Sequence, residues 1–485
     1  MPSKLSDHVF RKGKFTTPLN SIPTMSEMED ERSWTYGRLP EYLWIGLILN
    51  QYGRELGLQK LHRIIIELHR LAPNMCALRM SDILSLDVNV QADFYRQIIK
   101  SVSKGTLAPL TLVFTLSKEP EFSTWFYCAE LTVEERQSKI IDTMQKIMGH
   151  QTHEATDIRF VVLCFELLTG KIHLQKEELD MILRYPTLSH SAEEMKMIRP
   201  SVRSLEMMLL EFQEANSAYL KDFWRCVSEM TECSLFSIQF PEETTEISLY
   251  MEQLHEVFAY LSDLFVSANP LDEKMNVIIG IATYSYKRFK EAYEHNLFNS
   301  ISGRSCIRVL IENFIMLKYL IKNESSHENI WKDYQFYGIG LYKLVLARHR
   351  ESEERKVAHF DKDYIEALVN EFKIEEFIDM DTRYFDQQNI RLKAESVSEK
   401  ELYGLYYDYD SSFEHGLWGA IRESALVKCK NPAHQYHCVP DVEDQNRLKS
   451  VLPDCIMVMN KTVSFLNDIY GIPSPLFDEV TALEI

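Results

Sequence analysis

Glycine and proline are scarce, sixteen of each in 485 residues, so turn signals are few and widely spaced and helices are favoured over hairpins. No stretch approaches about eighteen uninterrupted apolar residues, and the opening MPSKLSDHVFRKGKF lacks the apolar core of a secretion signal. A cytoplasmic protein without a membrane span is expected. The nine cysteines, an odd number with no CxxC pair, are scattered through helical stretches, the usage of reduced and mostly buried thiols rather than of a disulfide framework. Basic residues are outnumbered, 53 against 72 acidic ones, and the net charge of −19 repels a polyanion. Extended DNA binding through phosphate neutralisation is therefore not expected, although a local basic pocket stays open. No P-loop, G-x-G-x-x-G or EF-hand spacing is present, so nucleotide hydrolysis and calcium sensing have no support.

What the chain does have is apolar material: 45% of its residues are hydrophobic, enough for more than one core in a chain of this length. The expected fold class is all-α with two helical domains. Residues 1–35, with Pro2, Pro18, Pro23 and the basic Arg11, Lys12 and Lys14, read as a flexible arm. Residues 36–240 read as a helical domain of sensor or regulatory type, and 245–472 as a second helical domain. The segment SLFSIQFPEETTE between them alternates briefly, as a short strand or a linker would. No fixed repeat period supports a solenoid.

Helix signals are local and specific. Pro40 suits a first helical position, and Leu61, Ile64, Ile65 and Leu68 share one face of a helix over Gln59 to Leu71. Thr132 with Glu135 and Ser191 with Glu194 have capping-box spacing. Further helices are expected at about 192–214, 216–230 and Glu328 to Arg350. Residues 351–400 should hold two short helices among loops. A final helix is expected from Glu443 to Tyr470, with a loose tail after Pro473.

Two stretches carry the chemistry. RSCIRVLIENFIMLKYLI, Arg304 to Ile321, is apolar almost all round after Glu312, as a helix buried on every side would be. Arg308 and Glu312 lie one turn apart near its start and can pair. YGLYYDYDSSFEHGLWGAIRESAL, Tyr403 to Leu426, read as one helix, lines up Asp408, Ser412, His415, Gly419 and Arg422 as a polar stripe with glycine at a point of close approach.

With its R-x3-E pair at Arg308 and Glu312 and its later S-x2-H-G at Ser412, His415 and Gly416, the C-terminal half, about residues 245–470, resembles the domain of unknown function number 5677 family. The resemblance implies a helical fold and these candidate residues without naming a reaction. Helical proteins of this general kind are similar to the HEPN (higher eukaryote and prokaryote nucleotide-binding) group, which includes RNases of toxin and antiviral defence systems. That analogy implies a metal-independent effector acting on RNA or a nucleotide.

The HEPN signature, Arg and His separated by four to six intervening residues, occurs at Arg63/His69, Arg184/His190 and Arg288/His295, where roughly two occurrences are expected by chance. Arg63 and His69 would sit about 120° apart on a helix. Pro186 interrupts the second pair. None coincides with Arg308 or His415.

As catalysts the candidates are His415 (general acid or base), Arg308 (stabiliser of developing negative charge), Glu312 (orienting the arginine) and Ser412. The plain alternatives are a buried ion pair for Arg308 and Glu312 and a packed core histidine for His415. A serine-hydrolase triad is not expected, because the G-x-S-x-G elbow is missing and a mid-helix serine lacks free backbone N–H groups for an oxyanion hole. CKNPAHQYHC offers Cys429, His434, His437 and Cys438, but adjacent His437 and Cys438 cannot easily both reach one tetrahedral ion. HEATD at 153–157 lacks the second histidine of a metalloprotease motif. No metal or cofactor is assigned. Two functions are compatible with these residues: an effector acting on RNA or a nucleotide, and a non-enzymatic interaction or scaffold protein whose tyrosine-rich helix meets a partner. A homodimer fits both.

Overall fold

A computed structural model of the chain describes residues 4–18, 30–75, 77–208, 215–241, 247–267, 272–351, 359–435 and 437–482. Among the described residues helices dominate, and the strands form a two-stranded hairpin and a three-stranded sheet. The fold is all-α. No described helix is long and apolar enough to cross a membrane.

The chain divides into two compact units, Met1–Phe236 with Lys428–Val439, and Ser237–Val427 with Pro440–Ile485. The second unit is thus not one continuous stretch. Its sequence lends twelve residues, 428–439, to the first unit, because strand Leu426–Cys429 pairs antiparallel with Leu235–Phe236, Cys429 opposite Leu235. Such pairing across some two hundred positions leaves no local periodicity to read. Within the expected arm, Val9–Arg11 and Lys14–Thr16 form a hairpin closed by Phe10 against Phe15; residues 19–29 of the arm lie outside the described residues.

The first unit is built on helix Leu39–Tyr52, buried without a break from Leu39 to Leu49. It packs against Arg54–Leu71, Val133–Ile147 and His153–Leu168. At Gly46 a Cβ would stand 3.1 Å from both Thr143 and Ile147 side chains, so glycine lets the helix Val133–Ile147 come close. Thr132 and Glu135 form their capping box. The Ser191/Glu194 spacing does not cap: the next helix begins at Met195, Ser191 bonds Ser189, and Glu194 pairs with Arg184.

The second unit is built on helix Ile301–Asn323, which contains the first key stretch. Ser300 caps it, accepting from the Gly303 amide. A side chain at Gly303 would run into the Leu297 and Phe298 carbonyls, 2.4 and 2.9 Å from a Cβ. Ile307, Leu310, Ile311, Ile315, Leu317 and Leu320 are buried. At about 1.5–3 kcal/mol for each aliphatic side chain removed from water, this is the main anchor of the unit. Around it pack Glu273–Glu294, Ile390–Ser396, Asp408–Glu414 and Leu452–Tyr470.

The second key stretch is not one helix. A π-helical turn at Tyr403–Tyr407 leads into Asp408–Glu414, the chain breaks, and Trp418–Ser424 follows. Gly416, at φ +56°, supplies the left-handed residue, and the Leu417 amide reaches back to the Ser412 carbonyl, the bonding of a Schellman close. Nothing lies within 4 Å of a Cβ at Gly416 or Gly419, so these glycines do not mark a close neighbour. The stripe from Asp408 to Arg422 is therefore broken. Two other expectations also change: the last long helix starts at Leu452 rather than Glu443, and the tail folds as Ser474–Thr481, with Val480 buried.

Candidate functional site

Arg308 and Glu312 project from the central helix Ile301–Asn323 into a cluster of phenols. Arg308 donates to the Tyr407 hydroxyl at 2.9 Å and stands 3.7 Å from Glu312. The Tyr384 and Tyr407 hydroxyls both donate to the Glu312 carboxylate. Burial, then the neighbouring Glu312 charge, pushes the Tyr384 phenol far up and Tyr407 to about 12, so both stay neutral donors. The Glu312 carboxylate, holding two phenolic donors and facing a guanidinium, is fully engaged. The arrangement orients and stabilises, and its open capacity lies on the arginine, whose Nε has no partner.

One turn earlier sits a second pair that the sequence reading did not single out. Arg304 and Asp410 are both buried, with Nε and Oδ1 3.9 Å apart. Arg304 donates to the Lys449 carbonyl at 2.7 Å and lies over the rings of Tyr409 and Phe413. Burial raises the Asp410 carboxyl to about 7 against the pull of Arg304.

Beyond Tyr384 lies a third group. Lys393, with no exposed surface, donates to the Phe385 carbonyl and stands 3.8 Å from the centre of the Tyr319 ring. Burial lowers its ammonium to about 8 while Asp386 opposes the shift. Its only sequence signal is a lysine inside a short amphipathic helix, which reads as surface.

The structure does not bring all four candidates together. Ser412 spends its hydroxyl on the Tyr409 carbonyl, and His415 is exposed at the end of helix Asp408–Glu414, not packed in the core. Beside it, Glu414 accepts from Ser305 near the start of the central helix. The tyrosines of Ile330–Glu351 divide: Tyr334 and Tyr337 pack on Phe385, and Tyr342 is exposed.

The same unit carries a groove of about 770 Å³ lined by residues including Lys318, Glu399, Asn460, Lys461 and Asp468. Glu399 takes Lys318 at 2.5 Å and Lys461 at 3.9 Å. In the first unit, Asp157 gathers Arg54 at 2.9 Å, the Tyr185 hydroxyl at 2.7 Å and His190 at 3.4 Å beside a cavity of about 310 Å³. His190 stacks on His153, and burial lowers its pKa against the pull of Asp157. Thus HEATD and the Arg184/His190 spacing contribute to one polar cluster through residues other than Arg184.

Of the cysteines and histidines in CKNPAHQYHC, three meet: Cys429, His434 and His437. Cys438 lies outside the group, and Cys233, from the end of helix Ser217–Glu229, takes the fourth place.

These features define a class: a two-unit helical protein whose second unit surrounds a long buried helix with arginine–carboxylate pairs closed by tyrosines. Residues 275–434 match the model of a family of unknown function (DUF5677). The match is narrower than the resemblance over 245–470, and it contains Arg308, Glu312, Ser412, His415 and Gly416. No curated protein and no solved structure matches the chain.

Proposed function

We propose that this is a helical interaction protein whose second unit binds a basic protein segment carrying apolar side chains. One observation carries the reading: between residues 405 and 421 the surface exposes Leu405 (71%), Tyr409, Leu417, Trp418 (66%) and Ile421, while the nearby Arg308 and Glu312 are engaged by tyrosines. Five exposed apolar residues within seventeen positions supply the side chains a binding surface uses. Exposed Asp408 and Glu414 lie among them, and the chain's net charge is −19, so charge complementarity selects a basic partner.

The test is a phenotype of the native chain scored with Trp418→Asp, Leu405→Asp, Arg308→Gln and His415→Ala, each checked for melting temperature. Loss with the first two and retention with the last two supports the reading. The opposite pattern overturns it.

A second reading, an effector that cleaves RNA or processes a nucleotide, is favoured by one observation: His415 is exposed and can meet a ligand. Here His415 is the general acid or base and Arg308 stabilises charge. Growth arrest and fragmented RNA on expression of wild type but not of His415→Ala, at equal melting temperature, would select this reading.

A further inference from the structure

We propose that Cys233, Cys429, His434 and His437 form a structural zinc site in the first unit. Their donor atoms all lie within 4.8 Å of one another. The Cys233 sulfur stands 3.5 Å from His434 Nδ1 and 3.4 Å from His437 Nε2, and the Cys429 sulfur 3.6 Å from His434 Nδ1. With zinc–sulfur and zinc–nitrogen bonds of about 2.3 and 2.0–2.1 Å, tetrahedral angles place a sulfur and a nitrogen ligand about 3.6 Å apart. The three measured edges are those of that tetrahedron.

The surroundings prepare the donors. His434 Nε2 lies 3.0 and 3.2 Å from the Thr231 and Ser228 carbonyls, which accept only from an N–H. That contact fixes the tautomer, leaving the Nδ1 lone pair toward both sulfurs. The Ser234 amide donates to the Cys429 sulfur at 3.3 Å, an outer contact that orients this ligand. Asn431 donates to Thr231 and to the Glu232 carbonyl, and the Cys429 amide to the His437 carbonyl, so the loop holds its shape from both ends.

Two thiolates and two neutral imidazoles in a tetrahedron are the donor set of Zn²⁺, and four protein ligands leave no open position. The site is therefore structural. It fastens the segment Lys428–Val439 to the end of helix Ser217–Glu229, a closure that residues far apart in sequence make at one point. Binding releases the two thiol protons to solvent, and no redox change is involved.

The experiment measures zinc by elemental analysis in the full chain purified under reducing conditions without chelator. One zinc per chain is expected in wild type and in Cys438→Ser, and its loss in Cys233→Ser and His437→Ala. Because loss of the metal can itself impair folding of a variant, cobalt(II) is also titrated into metal-free wild type. Thiolate-to-cobalt charge transfer with tetrahedral d–d bands, removed by added zinc, is the expected spectrum. A wild-type chain that takes up neither metal, a Cys233–Cys429 disulfide in place of metal, or zinc that follows Cys438 instead of Cys233 would overturn the assignment.

Discussion

Asp410 is one of the residues whose charge state the fold perturbs. Its carboxyl moves from 3.8 to about 7 through burial, with Arg304 opposing and Asp454 reinforcing the shift. Between those values the folded chain keeps a proton that the unfolded chain gives up, so the stability contributed by Asp410 falls as pH rises through this window and is level above about 7. Melting temperature followed across that range should fall less steeply in Asp410→Asn than in wild type. Glu41 in the first unit, raised to about 7 by burial despite two bonds from Ser81, acts with the same sign. His415 lies at the other extreme of burial. An exposed side chain with no packing role should change stability by no more than about 0.5 kcal/mol on replacement by alanine. A loss of several degrees in His415→Ala would show that the ring is packed after all.

At the level of elements, the central helix Ile301–Asn323 and the broken stretch after Tyr403 respond differently. Ile311→Ala removes a fully buried side chain and is expected to cost about 2–5 kcal/mol in denaturant unfolding. Gly416→Ala meets no neighbour but forces a Cβ into φ +56°, a strain of about 1–2 kcal/mol read in the same assay. Gly419→Ala, in the first turn of helix Trp418–Ser424 with open space around it, should stabilise slightly or be neutral. Were Tyr403–Leu426 one continuous helix, the two glycine variants would behave alike. The central helix was legible in the sequence because its apolar residues run round every face. The break at Gly416 was readable only as a C-terminal glycine after S-x2-H, a signal that a stripe of polar residues obscured.

For the molecule as a whole, the segment Lys428–Val439 is the sensitive feature. Ala433 is part of the first unit's apolar core although its sequence lies almost two hundred residues beyond Phe236. A fragment ending at Phe236 loses that contact and the antiparallel pairing to Cys429. It should melt below the same fragment covalently joined to residues 428–439, and equal melting temperatures would deny the segment a place in that unit.

The sequence alone determined the helical class, the long buried helix with its Arg308–Glu312 pair, and the Thr132 capping box, because each depends on spacing within a turn or two. It also carried the resemblance that the match over residues 275–434 bears out. Tertiary structure decided which partners these residues take. Tyr384 and Tyr407 close over Glu312 from 72 and 95 positions away, Asp410 comes to Arg304, and Lys393 enters an aromatic cage. Cys233 replaces Cys438 beside the two histidines for the same reason. Adjacent residues share a backbone that points their side chains apart, whereas a strand returning in register can deliver a distant thiol to the same point.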